Sequence, residues 1–312
     1  MKLPTIDEAI GNTPLVRLRH LDAGLAWPVW VKCEHLNPGG SVKDRLALAI
    51  VNTAEQEGRI RPGDTLIEAT AGNTGMGLAL VGLARGYRVV CVLPEKMSQD
   101  KRDALAMLGA EVIMAPNAPP DSPENFRQVA ARLAQERGWF LTEQFSHPAN
   151  PRIHYQTTGP EIWRQSGGEV RTFVAGAGTG GTISGAGRYL KEQCPGLQVV
   201  LADPLGSQLG SYALTGEYRG DGPYLVEGIG ASKAPENLEI QIIDAVETVS
   251  DEESFQVTRD LIRKEGLWVG GSSGTAVAAA LRRAALPETG GPVVALVTDS
   301  WDRYFSRPWL KE

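Results

Sequence analysis

A chain of 312 residues, 42% hydrophobic and 22% charged, has the length for one large α/β domain or two packed ones and the composition of an ordinary globular protein. Its formal charge of −6 argues against a nucleic-acid or anionic-membrane partner, while leaving room for local pockets that take small anions. The three cysteines, Cys33, Cys91 and Cys194, form no C-x-x-C pair and argue against a disulfide framework or a structural zinc site.

Each cysteine reads as a small buried apolar residue rather than a nucleophile. The first seven residues hold no apolar run of the signal-peptide kind, and no stretch approaches membrane-spanning length, so a soluble cytoplasmic protein is expected.

Along the chain, short β-branched runs alternate with helical patterns. Residues 65–68 read as a strand, 74–85 as a helix, 88–93 as a buried strand and 98–108 as a helix capped by Ser98. Then come a strand at 111–114, a helix at 122–137 and a strand at 172–175. A helix over 182–192, a strand over 198–202 and a capped helix over 250–264 follow. Residues 267–269 read as a strand, 273–285 as a helix and 293–298 as a final strand. This β-α alternation calls for an α/β fold with mostly parallel sheets covered by helices. The least regular stretches are 117–123, 146–151 and 204–235. The second suits an inter-domain crossing, and the third is long enough to be an active-site segment.

Four glycine-rich turns each open a helix, where unpaired N–H groups and a positive dipole end suit anions. The first, 37–45, places Lys43 beside Ser41 and Asp44, which fit a capping box. It is either a surface helix start or the seat of a lysine whose neutral amine is favoured by the positive helix end, as imine-forming chemistry needs. The second, Thr70-Ala71-Gly72-Asn73-Thr74-Gly75, can offer N–H groups, hydroxyls and an amide to a carboxylate, or can be a plain capped turn. The third, Gly176-Ala177-Gly178-Thr179-Gly180-Gly181-Thr182, matches G-x-G-x-x-G, with Asp203 closing the next strand. It suits the phosphate of a dinucleotide or of another cofactor alike. The fourth, Gly270-Gly271-Ser272-Ser273-Gly274, fits the G-x-S-x-G pattern of hydrolases, whose histidine must follow the serine. All four histidines precede it, which disfavours that reading. Ser98 to Lys101 mimics S-x-x-K without the segments that accompany that motif, and reads better as a helix cap. An NAD-dependent oxidoreductase accounts for the third turn alone.

These motifs resemble the cysteine synthase and cystathionine β-synthase family, which has pyridoxal-phosphate fold type II. The likeness runs from Ile10-Gly11-Asn12-Thr13-Pro14-Leu15 through the four turns, Thr157-Thr158-Gly159-Pro160-Glu161-Ile162-Trp163 and Gly228-Ile229-Gly230 to Arg303-Tyr304. It implies a two-domain α/β protein, with an N-terminal domain over 1–150 and a C-terminal, phosphate-binding domain over 151–312. The first ~35 residues would cross to the other domain.

The resemblance further implies pyridoxal 5′-phosphate as cofactor, with Lys43 as the imine-forming and catalytic lysine. Asn73 would bond the cofactor's 3′-oxygen, and Gly178, Thr179, Gly180, Gly181 and Thr182 would hold its phosphate. Ser272 would face the pyridine nitrogen. Thr70, Ala71, Thr74, Gln144 and Gly228 would bind substrate. Ala71 stands where many members carry serine, so one hydroxyl contact is missing. A neutral serine at the ring nitrogen disfavours transamination and points to β-replacement through an aminoacrylate intermediate.

The nucleophile is read two ways. Phe145, the 157–163 block and Asp302-Arg303-Tyr304 resemble cysteine synthases, especially the B type, which use O-acetylserine and sulfide. Asp203-Pro204-Leu205-Gly206-Ser207, the 226–230 and 121–124 segments and Gly270-Gly271-Ser272 resemble cystathionine β-synthases, which use serine and homocysteine. Cysteine synthase is the favoured reading. The 204–235 segment is expected to shape the nucleophile's entrance. Small-molecule substrates, no metal, and a homodimer complete what the resemblance implies.

Overall fold

The computed structural model describes residues 3–311 apart from 71, 96, 98, 120 and 221. In chain order its regular elements begin with β1 (Leu15–Arg17), β2 (Val29–Cys33), α1 (Lys43–Gln56), β3 (Thr65–Ala69) and α2 (Asn73–Arg85). Next are β4 (Arg88–Pro94), α3 (Gln99–Met107), β5 (Glu111–Ala115), α4 (Phe126–Arg137), β6 (Phe140–Leu141) and α5 (Ala149–Ile153). A π-helical stretch (His154–Thr158) leads into α6 (Gly159–Gln165), then β7 (Thr172–Ala175), α7 (Gly181–Gln193), β8 (Gln198–Pro204) and α8 (Leu209–Thr215). The last are β9 (Ala245–Val249), α9 (Asp251–Glu265), α10 (Gly271–Ala284) and β10 (Val293–Val297).

The chain divides into two compact units, Met1–Ile10 with Asn37–Ala149, and Gly11–Leu36 with Asn150–Glu312. In the first unit, β5-β4-β3-β6 form a wholly parallel sheet. Its side chains alternate between two apolar faces, as strand geometry requires. Leu66, Val89, Cys91 and Leu93 pack with Met76 and Leu78 of α2, while Ile67, Ala69, Val90 and Val92 pack with Val129 and Ala130 of α4. Burial on both sides explains why 89–93 reads as an unbroken apolar run.

The second unit is built around a six-stranded sheet, β1-β2-β10-β7-β8-β9, parallel except for the antiparallel β1–β2 edge. Val31, Val174, Val200, Ala295 and Val297 pack under Val277 and Ala280 of α10. On the opposite face, Phe173, Ala175, Leu201 and Leu296 pack against Ile183, Ala186 and Leu190 of α7. The expected mostly parallel α/β architecture is therefore present, and no helix among the described residues is long and apolar enough to cross a membrane.

Several expectations need correction. Residues 267–269 form no strand: Val269 makes one isolated bridge to Ser300, because β10 already has β2 and β7 on its two edges. The helix expected from Ser122 begins at Phe126, where the Asn125 side chain accepts from the Arg127 N–H at 3.0 Å. The Ser41/Asp44 capping box is replaced by another arrangement. The N-cap is Val42, without a side-chain cap, and the Asp44 carboxylate accepts from the Gly39 N–H at 2.6 Å. The 204–235 segment contains α8 and is not irregular throughout. Ser250 does cap α9, accepting from the Glu253 N–H, whereas Ser98 lies outside the described residues.

Candidate active site

In the first unit, Lys43 is the first residue of α1, and its N–H donates to Ser41 Oγ at 3.2 Å. A Cβ on Gly77, one turn into α2, would stand 3.0 Å from the Lys43 carbonyl oxygen and 3.2 Å from Ala47 Cβ. Glycine there lets α2 lie directly on α1, so the start of α1 sits beside the first turn of α2. That turn follows the 70–75 loop. The Thr70 hydroxyl oxygen accepts from the Gly72 and Gly75 N–H groups at 3.1 and 3.4 Å. Gly72 caps α2 without a side-chain bond, and first-turn N–H groups have no carbonyl one turn back to accept them. Thr74 donates its hydroxyl hydrogen to Gln144 Oε1 at 2.6 Å. The structure thus gathers Lys43, Thr70, Asn73, Thr74 and Gln144 in one unit; Ala71 lies outside the described residues.

In the second unit, the loop after β7 runs into α7, whose N-cap Gly180 has no side-chain cap. A Cβ on Gly178 would stand 2.1 Å from the Gly228 carbonyl oxygen, so no side chain fits there and the two glycine segments meet backbone to backbone. Asn150 Nδ2 donates to the Thr179 hydroxyl at 3.0 Å, and the Thr182 hydroxyl lies 3.1 Å from His154 Nε2. A narrow glycine cradle, two oriented hydroxyls and a helix N-terminus fit the phosphate of pyridoxal phosphate. The 13-residue α7 supplies a full helix dipole behind it.

Ser272, buried in the first turn of α10, pairs its Oγ with Thr298 Oγ1 at 2.7 Å. Asp203, the acidic residue of the G-x-G-x-x-G pattern, spends Oδ2 on the Gly210 N–H of α8 at 2.8 Å. Burial pushes its carboxyl above the usual range. It braces the next helix, which gives its place in the sequence a structural explanation.

The Gly11-Asn12-Thr13-Pro14 motif and the 157–163 block meet through a buried ion pair. Lys32 of β2, fully buried, donates to Glu161 Oε2 at 2.6 Å and to Gln165 Oε1 at 3.0 Å. The other Glu161 oxygen accepts from the Asn12 N–H at 3.0 Å. These two motifs therefore hold the fold of the second unit.

Sequence reasoning missed Glu68, Thr142, Asn150, His154 and Thr298. The available signals were an acidic residue inside an apolar strand and polar residues at or just beyond strand and helix ends. Burial pushes the Cys33 and Cys91 thiols up to about 12, which fits their reading as inert. Among the described residues, no group of acidic, histidine or cysteine side chains could hold a metal.

The model of the family described as "Pyridoxal-phosphate dependent enzyme" matches residues 6–299. The chain is 41% identical over 304 residues to cysteine synthase from Staphylococcus aureus (strain Mu50), covering 97% of this chain and 96% of that one. It is 45% identical over 309 residues to cystathionine beta-synthase from Oryctolagus cuniculus, covering 98% of this chain but 56% of the relative's length. The crystal structure of O-ureido-L-serine synthase superposes with a TM-score of 0.92 at 36% identity, over 100% of this chain and 96% of that one. The NAD-dependent alternative falls with these matches. The chain belongs to the pyridoxal-phosphate dependent enzyme family and is a β-replacement enzyme of the cysteine synthase and cystathionine β-synthase type, with pyridoxal phosphate as its cofactor.

Proposed function

We propose that the protein is a cysteine synthase, converting O-acetyl-L-serine and sulfide to L-cysteine and acetate. The observation that carries this choice is at position 145. A serine hydroxyl is a poor leaving group that needs a proton, whereas acetate departs without one. Phe145 has no hydroxyl to give, and its ring is covered by the Arg127 guanidinium, whose Cζ lies 3.9 Å from the centroid. The near-complete overlap with the S. aureus cysteine synthase supports the same reading.

In this proposal Lys43 holds the cofactor covalently and its amine, once released, takes the Cα proton of the donor. When bound, pyridoxal phosphate supplies the electron sink that lets that proton leave. Thr70, Ala71, Thr74 and Gln144 receive the donor's carboxylate, with the first-turn N–H groups of α2 as the ready donors. Asn73 orients the ring oxygen, the 178–182 loop grips the phosphate and Gly228 borders the substrate. Ser272 offers a hydroxyl to the ring nitrogen, and its partner Thr298 is also neutral. A neutral pair there would not hold a proton on that nitrogen, which would favour prompt loss of the β-substituent over transamination. The 204–235 segment would frame the entry of sulfide, and the enzyme would act as a homodimer.

The test is a steady-state comparison of O-acetylserine plus sulfide with serine plus homocysteine. A higher kcat/KM for the first pair supports the proposal. A higher value for the second would make the protein a cystathionine β-synthase.

A further inference from the structure

A carboxyl group in the interior of a sheet is costly unless every donor it meets is useful to the fold. Glu68 is such a group: all of β3 is buried, and Glu68 is 2% exposed. Its Oε2 accepts from the Thr142 hydroxyl and from the Gln144 N–H at 3.3 Å. Its Oε1 accepts from Gln144 Nε2 at 3.2 Å, and the same nitrogen donates to the Ala69 carbonyl at 3.0 Å. An amide nitrogen has two hydrogens, and two acceptors of β3 now claim them. The amide oxygen must then face away from β3, and there it accepts the Thr74 hydroxyl at 2.6 Å. Turning the amide over would set its oxygen against the Ala69 carbonyl and the Glu68 carboxyl, two acceptors with no hydrogen between them and it.

We propose that Glu68 is a positioning residue for the donor's carboxylate site, locking the Gln144 amide so that the amide in turn locks the Thr74 hydroxyl at the first turn of α2. This rests on the reading that the 70–74 loop receives that carboxylate.

Glu68 can do this in either ionisation state. Ionised, it accepts all three donors. Neutral, it gives its proton to Thr142 Oγ1, whose own hydrogen goes to the Ile67 carbonyl at 3.3 Å, and Oε1 keeps the Gln144 amide. Both forms matter, because burial pushes Glu68 up to about 7 against the opposing pull of its Thr142 and Gln144 bonds and of Arg127. The titratable groups that face it are Arg127 of α4 and Cys91 of β4. The side chain serves as an oriented acceptor, and its charge is secondary.

Two substitutions separate these roles. Glu68→Met keeps the length and removes the acceptor; Glu68→Gln keeps a carbonyl for the Gln144 side chain and a donor for Thr142, giving up the long 3.3 Å bond from the Gln144 N–H. In the holoenzyme, Glu68→Met is expected to raise KM for the amino-acid donor about tenfold, with kcat and the KM for the sulfur nucleophile changed less than about twofold. Glu68→Gln is expected to restore the donor KM, and Glu68→Met added to Gln144→Met to cause no further loss. The same assays include Thr74→Val. If Thr74→Val and Gln144→Met raise the donor KM but Glu68→Met does not, or Glu68→Gln fails to restore it, the positioning role is overturned alone. If Thr74→Val and Gln144→Met leave the donor KM unchanged, the carboxylate reading falls too. Should Glu68→Met not fold, the side-chain amide signals of Gln144 in the native protein decide. Two protected, inequivalent hydrogens support the lock, and a rapidly exchanging pair overturns it.

Discussion

Ser272 Oγ lies 2.7 Å from Thr298 Oγ1, so the hydroxyl assigned to the cofactor's ring nitrogen is itself held by a second hydroxyl. Neither group carries charge, and either can donate. A carboxylate at this place would hold a proton on the ring nitrogen and deepen the electron sink. Ser272→Asp is accordingly expected to lower kcat/KM for β-replacement by at least about tenfold, a loss of roughly 1.4 kcal/mol in transition-state stabilisation. Gradual loss of visible absorbance through transamination should accompany it. Unchanged turnover and a stable spectrum would count against the role of this pair.

The approach of Gly178 to the Gly228 carbonyl leaves no room for a methyl group, since a Cβ would stand 2.1 Å from that oxygen. Gly178→Ala must therefore push the two loops apart, at a cost of about 1–3 kcal/mol. If the loop grips the phosphate, affinity for pyridoxal phosphate falls about ten- to a hundredfold, as read by titration of the apoprotein. Full affinity in a folded variant would place the phosphate elsewhere.

The pH behaviour of Glu68 has a definite sign. Its folded-state value is raised from 4.5 to about 7, so the folded protein holds this proton more tightly than the unfolded chain. The stability this contributes is fully present below about 4.5 and is lost as pH rises through about 7. The displacement sets a ceiling of about 3 kcal/mol on the effect. Urea unfolding at pH 8 should show Glu68→Gln at least as stable as the native protein, while at pH 5 the native protein regains ground. A variant equally destabilised at both pH values would contradict this.

Lys32 and Glu161 form a buried pair within 2.6 Å, and removing the cation strands the carboxylate. Lys32→Met is expected to destabilise the protein by about 3–5 kcal/mol. Chemical denaturation measures this directly. A loss within about 0.5 kcal/mol would show that Glu161 finds solvent or another donor.

Much of the fold was legible because burial leaves a period in the sequence. Residues 89–93 and 293–297, within the strands expected at 88–93 and 293–298, are apolar on both faces and lie in sheet interiors. β2 went unread because Val-Trp-Val-Lys-Cys carries Lys32, whose charge is met by Glu161, 129 residues away. β1 has three residues, two of them exposed, and its pairing with β2 is long-range information. The strand expected at 267–269 failed for the opposite reason: local propensity favoured it, but the sheet offers it no open edge. Among the site residues, glycine loops announced themselves by spacing. Glu68, Thr142 and Thr298 did not, because a lone polar residue near a strand end has a meaning only through its partner.

In the proposed enzyme the amine of Lys43 carries the cofactor. Borohydride reduction of the native holoprotein, followed by digestion and mass mapping, tests it most directly. A pyridoxyl-phosphate group is expected on Lys43, with loss of both the label and visible absorbance in Lys43→Ala and activity reduced by about 10²–10⁴-fold or more. A label on any other lysine of the native protein would contradict it.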